Sequence, residues 1–215
     1  MRKNIRFPLK MEYNVEVRTL EELRENFSIE RVLIYVANGK LITWLRDRNI
    51  NDIADKIENL DENDSEIINQ IFEIFNIKYY IDEYNDINYN GYKNIFLGEA
   101  KDLWIRLNKL RNYTNEQKFF DFIDDVAFTD DDINHYLYEK EQDIYLCGDK
   151  FFIPTTSRNV RYIGINNPII ISSKNIIDWE EDKVYFFYVR YTDIGDTICK
   201  AVKAITGVFQ KNYEK

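Results

Sequence analysis

Hydrophobic positions in the first third of the chain recur every three to four residues, the spacing that keeps side chains on one helix face. A weakly alternating MEYNVEVR over 11–18 comes first and predicts a short strand or extended lead-in. Thr19 then caps LEELRENF, with Glu22 three residues on as the capping-box partner. Ser28 precedes IERVLIYVANG, whose Val32, Leu33, Val36 and Ala37 form a stripe, and Gly39 supplies the left-handed stop. KLITWLRDRN places Leu41, Trp44 and Leu45 on one face. INDIADKIENL does the same with Ile53, Ala54, Ile57 and Leu60, and DSEIINQIFEIFNI with Ile67, Ile68, Ile71, Phe72 and Phe75. Five short helices with brief connections predict a helical module over 1–78.

Residues 79–98, rich in Asn, Asp and Tyr and interrupted by Gly91, break this period and predict a connector. Helical spacing returns at Leu103, Trp104, Leu107 and Leu110, and NEQKFFDFIDDVAF reads as a helix or helix-turn. From 144 to 192 the texture becomes β-rich: DIYLCGDKFFIP, NVRYIGI, PIIISS and DKVYFFYVRYT are short runs set apart by Gly, Asn, Pro and Ser. Their alternation is imperfect, and IIISS reads as buried on both faces. Ile194, Ile198, Val202, Ile205 and Phe209 predict an amphipathic helix over 193–213. The expected fold is α+β: an N-terminal bundle of short helices, a helical segment, a small β-roll or β-sheet, and a C-terminal helix. Residues 99–215 form its second unit.

Three stretches resemble an uncharacterised family of bacterial modular proteins. They are the helical module around LITWLRDR (41–48), the segment FIDDVAFTDDDINHYLYEKEQDIYLCGDKFFIP (122–154), and NVRYIGINNPIIISS (159–173). The resemblance implies one or two turns of a parallel β-helix or β-roll around YIGINNP, and a bacterial, cytoplasmic setting. It brings no catalytic residue, cofactor or substrate.

Composition narrows the function classes. An apolar share of 45%, with 16 Tyr and 14 Phe, is too rich for a disordered chain. No run of about 20 apolar residues spans a bilayer, and the basic start is followed by no apolar leader core. Cys147 and Cys199 make no disulfide framework, which suits a reducing cytoplasm. A net charge of −9 disfavours a duplex-binding protein, because phosphate contacts need a concentrated cationic footprint. Nucleotide-binding loops such as GxGxxG are absent.

FTDDDINHYLYEKE (128–141) tests for metal chemistry. Asp130, Asp132, Asn134 and Glu141 stand at calcium-loop positions, but His135 occupies the place where such a loop needs glycine. A helix start accounts for every residue: Thr129 caps, Asp130–Asp132 sit at the positive end of the macrodipole, and Ile133, Tyr136 and Leu137 face inward. No metal and no cofactor is therefore expected. His135 is the single histidine, and Cys147 lies in an apolar strand whose burial would leave its thiol inert, so no acid–base or nucleophilic pair is assigned. Asp124/Asp125, Asp130–Asp132 and Glu180/Glu181 could pair as in glycosidases, but the β-rich stretch is too short for a sugar groove.

Two binding candidates remain. Trp44, Arg46 and Arg48 could read a phosphate or carboxylate, although a core tryptophan with arginines paired to nearby aspartates is the commoner outcome. Asp124, Asp125, Asp130, Asp131 and Asp132 lie in an acidic strip, 121–143, holding nine carboxylates and one lysine. The unpaired edges of a short β-roll and the C-terminal helix form a further candidate surface. The expected function is a non-catalytic protein-binding or regulatory protein of the bacterial cytoplasm. The alternative is an acidic decoy that imitates phosphates toward a nucleic-acid-binding enzyme, as in phage defence or counter-defence.

Overall fold

A computed structural model describes residues 7–89, 93–138, 142–172 and 180–193. The fold is α+β, and the chain divides into two compact units, Met1–Asp121 and Phe122–Lys215.

In the first unit, β1 (Leu9–Lys10) and β2 (Glu16–Val17) pair antiparallel around a tight turn. Five helices follow: α1 (Leu20–Glu25), α2 (Ile29–Ala37), α3 (Lys40–Arg46), α4 (Asn51–Glu58) and α5 (Ile67–Ile74). Thr19 and Glu22 form the expected capping box, and Ser28 caps α2 by accepting from Arg31 N–H. Gly39 takes φ +72 between α2 and α3, where its lack of a Cβ removes the penalty of the left-handed turn. Asn49 (φ 59) and Asn76 (φ 55) close α3 and α5 in the same way. In each, the following N–H reaches back into the last helical turn: Ile50 to Leu45 O, and Ile77 to Phe72 O. Leu23, Leu33, Leu41, Trp44, Leu45, Ile71 and Phe72 are fully buried, so the predicted stripes form this core.

The expected connector is folded. β3 (Tyr79–Ile81), β4 (Asp86–Tyr89) and β5 (Lys93–Phe96) make an antiparallel sheet in the order β3-β4-β5. In β4 the apolar residues alternate: Ile87 and Tyr89 turn inward while Asp86 and Asn88 stay partly exposed. Tyr89 packs against Phe27 and Phe72, with ring centroids 5.8 and 5.2 Å away, and its hydroxyl accepts from Ile29 N–H at 3.5 Å. α6 (Leu97–Arg111) and α7 (Gln117–Asp121) complete this unit. Trp104 Nε1 donates to Glu62 O at 2.9 Å and ties α6 to the α4–α5 loop. The first compact unit thus extends to Asp121, with α6 and the sheet packed on the first helices.

The second unit begins with a short 3-10 turn at Ile123–Asp125, β6 (Val126–Ala127) and α8 (Asp130–Tyr136). Six strands then wind as a parallel coil: β7 (Gln142–Leu146), β8 (Lys150–Phe152), β9 (Val160–Gly164), β10 (Ile169–Ser172), β11 (Val184–Phe187) and β12 (Arg190–Asp193). Alternate strands enter alternate sheets, β11-β9-β7-β6 and β12-β10-β8, and every pairing in both is parallel. Ile144, Leu146, Phe151, Tyr162, Ile170 and Val184 fill the space between them. The Tyr162 hydroxyl is buried and donates to Ser157 Oγ at 2.8 Å, while Ser157 donates to Pro154 O. At Gly164 the next turn of the coil approaches so closely that a Cβ would lie 2.1 Å from Tyr188 O. The helix predicted for 193–213 lies outside the described residues, apart from Asp193 at the end of β12.

Candidate functional site

Trp44 is buried in the core of the first unit, and the Arg48 guanidinium lies over its ring, 4.0 Å from the centroid. Arg48 spends its donors on backbone carbonyls: Nε on Arg18 O (2.6 Å), Nη1 on Trp44 O (3.1 Å) and Nη2 on Phe7 O (3.0 Å). This planar fork clamps the lead-in before β1 onto α3, a task an ammonium could not perform with the same geometry. Arg46 leaves α3 on another side and pairs with Asp55 and Glu58 of α4, both at 2.7 Å. The two arginines thus do not converge on one ligand.

The acidic strip is divided between local duties and open water. Thr129 caps α8 in a capping box with Asp132, whose Oδ2 also accepts from Phe128 N–H at 2.8 Å. Asp130 Oδ1 accepts from Phe152 N–H at 3.0 Å, which satisfies an edge donor of β8. Asp143 receives two bonds from Arg161 across the β7–β9 pair. Asp121 belongs to the first unit and faces Arg31 at 4.0 Å. Asp125 is half-buried, whereas Asp124 and Asp131 are exposed; Glu139 and Glu141 lie outside the described residues. Stretch 128–138 is a helix start, with Ile133 buried and Tyr136 and Leu137 packed on the coil interior. His135 is exposed beside the Tyr136 ring, and Cys147 is fully buried.

The outer face of the β11-β9-β7-β6 sheet carries a feature the sequence patterns do not isolate. Register places Tyr145, Ile163 and Phe187 side by side on successive strands, with Asp143, Arg161 and Tyr185 as the adjacent row. Phe122 extends the first row by stacking on Tyr145, with centroids 5.5 Å apart and planes 15° from parallel. Phe122, Tyr185 and Phe187 remain 45%, 49% and 45% exposed. Because Arg161 and Asp143 neutralise each other, this face has apolar rows with little net charge. Exposed aromatics grouped on one face mark an interaction surface more often than isolated surface aromatics do. The imperfect alternation of NVRYIGI and DKVYFFYVRYT was its trace: both faces of these strands are apolar, one toward the interior and one toward water.

The second sheet repeats this on a smaller scale, with exposed Phe152 beside Ile171 and the Lys150 ammonium 5.3 Å from the Phe152 centroid. Among the described residues, no helix is long and apolar enough to cross a membrane, and no cluster of His, Cys, Asp and Glu could hold a metal ion. Comparison with protein-family models, curated proteins and solved structures finds no match to this chain.

Proposed function

We propose that the chain is a non-catalytic protein-binding or regulatory protein of the bacterial cytoplasm that engages its partner through the outer face of the coil. The observation that carries this reading is the row Phe122–Tyr145–Ile163–Phe187 with Tyr185 beside it. Aromatic side chains supply large contact area at small entropic cost, and for that reason they dominate binding hot spots. The bacterial and cytoplasmic setting draws on the sequence resemblance and on the sparse cysteines. The acidic-decoy alternative draws less support, since Asp130, Asp132 and Asp143 spend their carboxylates on backbone N–H groups or on Arg161.

The test is affinity capture on the immobilised full chain and on a Tyr185→Ser/Phe187→Ser variant. The reading expects a saturable protein partner that the variant loses while keeping the parent's circular dichroism. A partner retained equally by both would remove the coil face from the account.

A further inference from the structure

In the first unit, Phe7, Pro8, Asn38, Gly39, Lys40, Thr43 and Gln117 line a cleft of about 420 Å³, within the range of small-molecule sites. Among the described residues, the lining carries one cation and no carboxylate, although the chain as a whole is acidic at −9. Among the described residues, the partners of the Lys40 ammonium are two rings, Tyr35 and Phe7, with centroids 5.0 and 5.7 Å away. Such contacts position a cation without neutralising its charge.

The wall is built in advance. Arg48 holds Phe7 O, and three residues on, the Tyr35 hydroxyl donates to Lys10 O at 2.5 Å and accepts from Lys10 N–H at 3.2 Å. At the floor, Asn38 Oδ1 accepts from Lys40 N–H at 3.0 Å, which fixes the orientation of its amide. Its Nδ2 is buried without a hydrogen-bond partner in the protein. A Cβ on Gly39 would meet nothing within 4 Å, so the backbone there is open to an approaching ligand.

We infer that this cleft receives the anionic head, carboxylate or phosphate, of a small ligand whose apolar body lies along Phe7 and Pro8. The Lys40 ammonium is the charge partner. This site is independent of the coil face.

The test is a titration of the ¹⁵N-labelled full chain with benzoate, phenyl phosphate and neutral benzamide, followed by NMR. Both anions should produce saturable shifts at the Gly39, Lys40 and Thr43 amides and the Asn38 and Gln117 side-chain amides. Benzamide should bind at least about tenfold more weakly, and the tighter anion names the head group. Lys40→Gln should weaken anion binding by about tenfold, while Lys40→Arg keeps most of it. Equal response to benzamide, undiminished anion binding in Lys40→Gln, or no saturable shift would each overturn the inference. Because the benzamide comparison uses the parent chain, the test survives a variant that fails to fold.

Discussion

The two units solve the same packing problem in opposite ways. In the first, local signals bound several helices: the Thr19–Glu22 capping box and the Ser28 cap start α1 and α2, and left-handed Gly39, Asn49 and Asn76 mark helix ends. Side chains such as Arg48 and Trp104 then tie distant segments together. In the second, partners lie far apart in sequence, and each strand depends on the turn stacked against it. A parallel coil pairs every internal strand on both edges, so its surface is free to be chosen for another purpose. Here that surface is aromatic. A mainly helical unit and a parallel coil thus share one chain, and the proposed interaction rests on the coil.

The comparison can be broken or sharpened by substitution. Trp44→Ala should have the largest effect, about 4 kcal/mol, by leaving a cavity in the helical core and removing the ring under Arg48. Chemical denaturation followed by α-helical circular dichroism measures it. Gly164→Ala should cost about 3 kcal/mol, since the new Cβ would meet Tyr188 O at 2.1 Å and Pro168 Cδ at 2.6 Å. Hydrogen exchange should then show lost protection in β9–β12 with α2 and α3 little changed; the reverse pattern would contradict the division of labour.

An alkaline effect follows from Tyr89, whose hydroxyl burial pushes up to about 12 against the Ile29 N–H bond that lowers it. Free tyrosine ionises near pH 10, so below about 10 both states hold the proton and the contribution is complete. Between about pH 10 and 12 the unfolded chain ionises first, so stability should fall by roughly 2 to 3 kcal/mol. Urea unfolding across this range should show the slope, and Tyr89→Phe should reduce it without abolishing it, because burial also raises the Tyr162 and Tyr35 hydroxyls. Smallest is the pair of caps: Thr19→Ala and Thr129→Ala should each cost about 1 kcal/mol in their own unit, read as a shift in denaturant midpoint.

Much of the first unit was legible because its determinants are local. Thr19, Ser28 and Gly39 act where their chemistry indicates, and Thr129 caps α8 as a helix start requires. The β3-β4-β5 sheet was hidden because Asp86 and Asn88 alternate with Ile87 and Tyr89 in β4, so Ile87, Tyr89 and Ile95 looked like isolated apolar residues in a polar stretch. In the coil, unequal spacing between stacked strands erased any fixed period, and apolar residues on both faces blurred the alternation. The Lys40 cleft had no sequence signal at all. Its wall comes from Phe7 and Pro8, which the Arg48 clamp and the Tyr35–Lys10 bonds hold against the helices. Sequence spacing directed attention to Arg46 and Arg48, whose donors serve the fold, while Lys40 at the start of the same helix faces the open space.

The most direct measurement is the salt dependence of the captured complex, washed at about 0.1 M and about 1 M salt, where the Debye length falls from about 10 to about 3 Å. An interface made by Phe122, Tyr145, Ile163, Tyr185 and Phe187 should hold its partner at both concentrations. Release at the higher salt, together with loss of binding in Asp124→Asn/Asp131→Asn, would contradict it and transfer the function to the acidic surface.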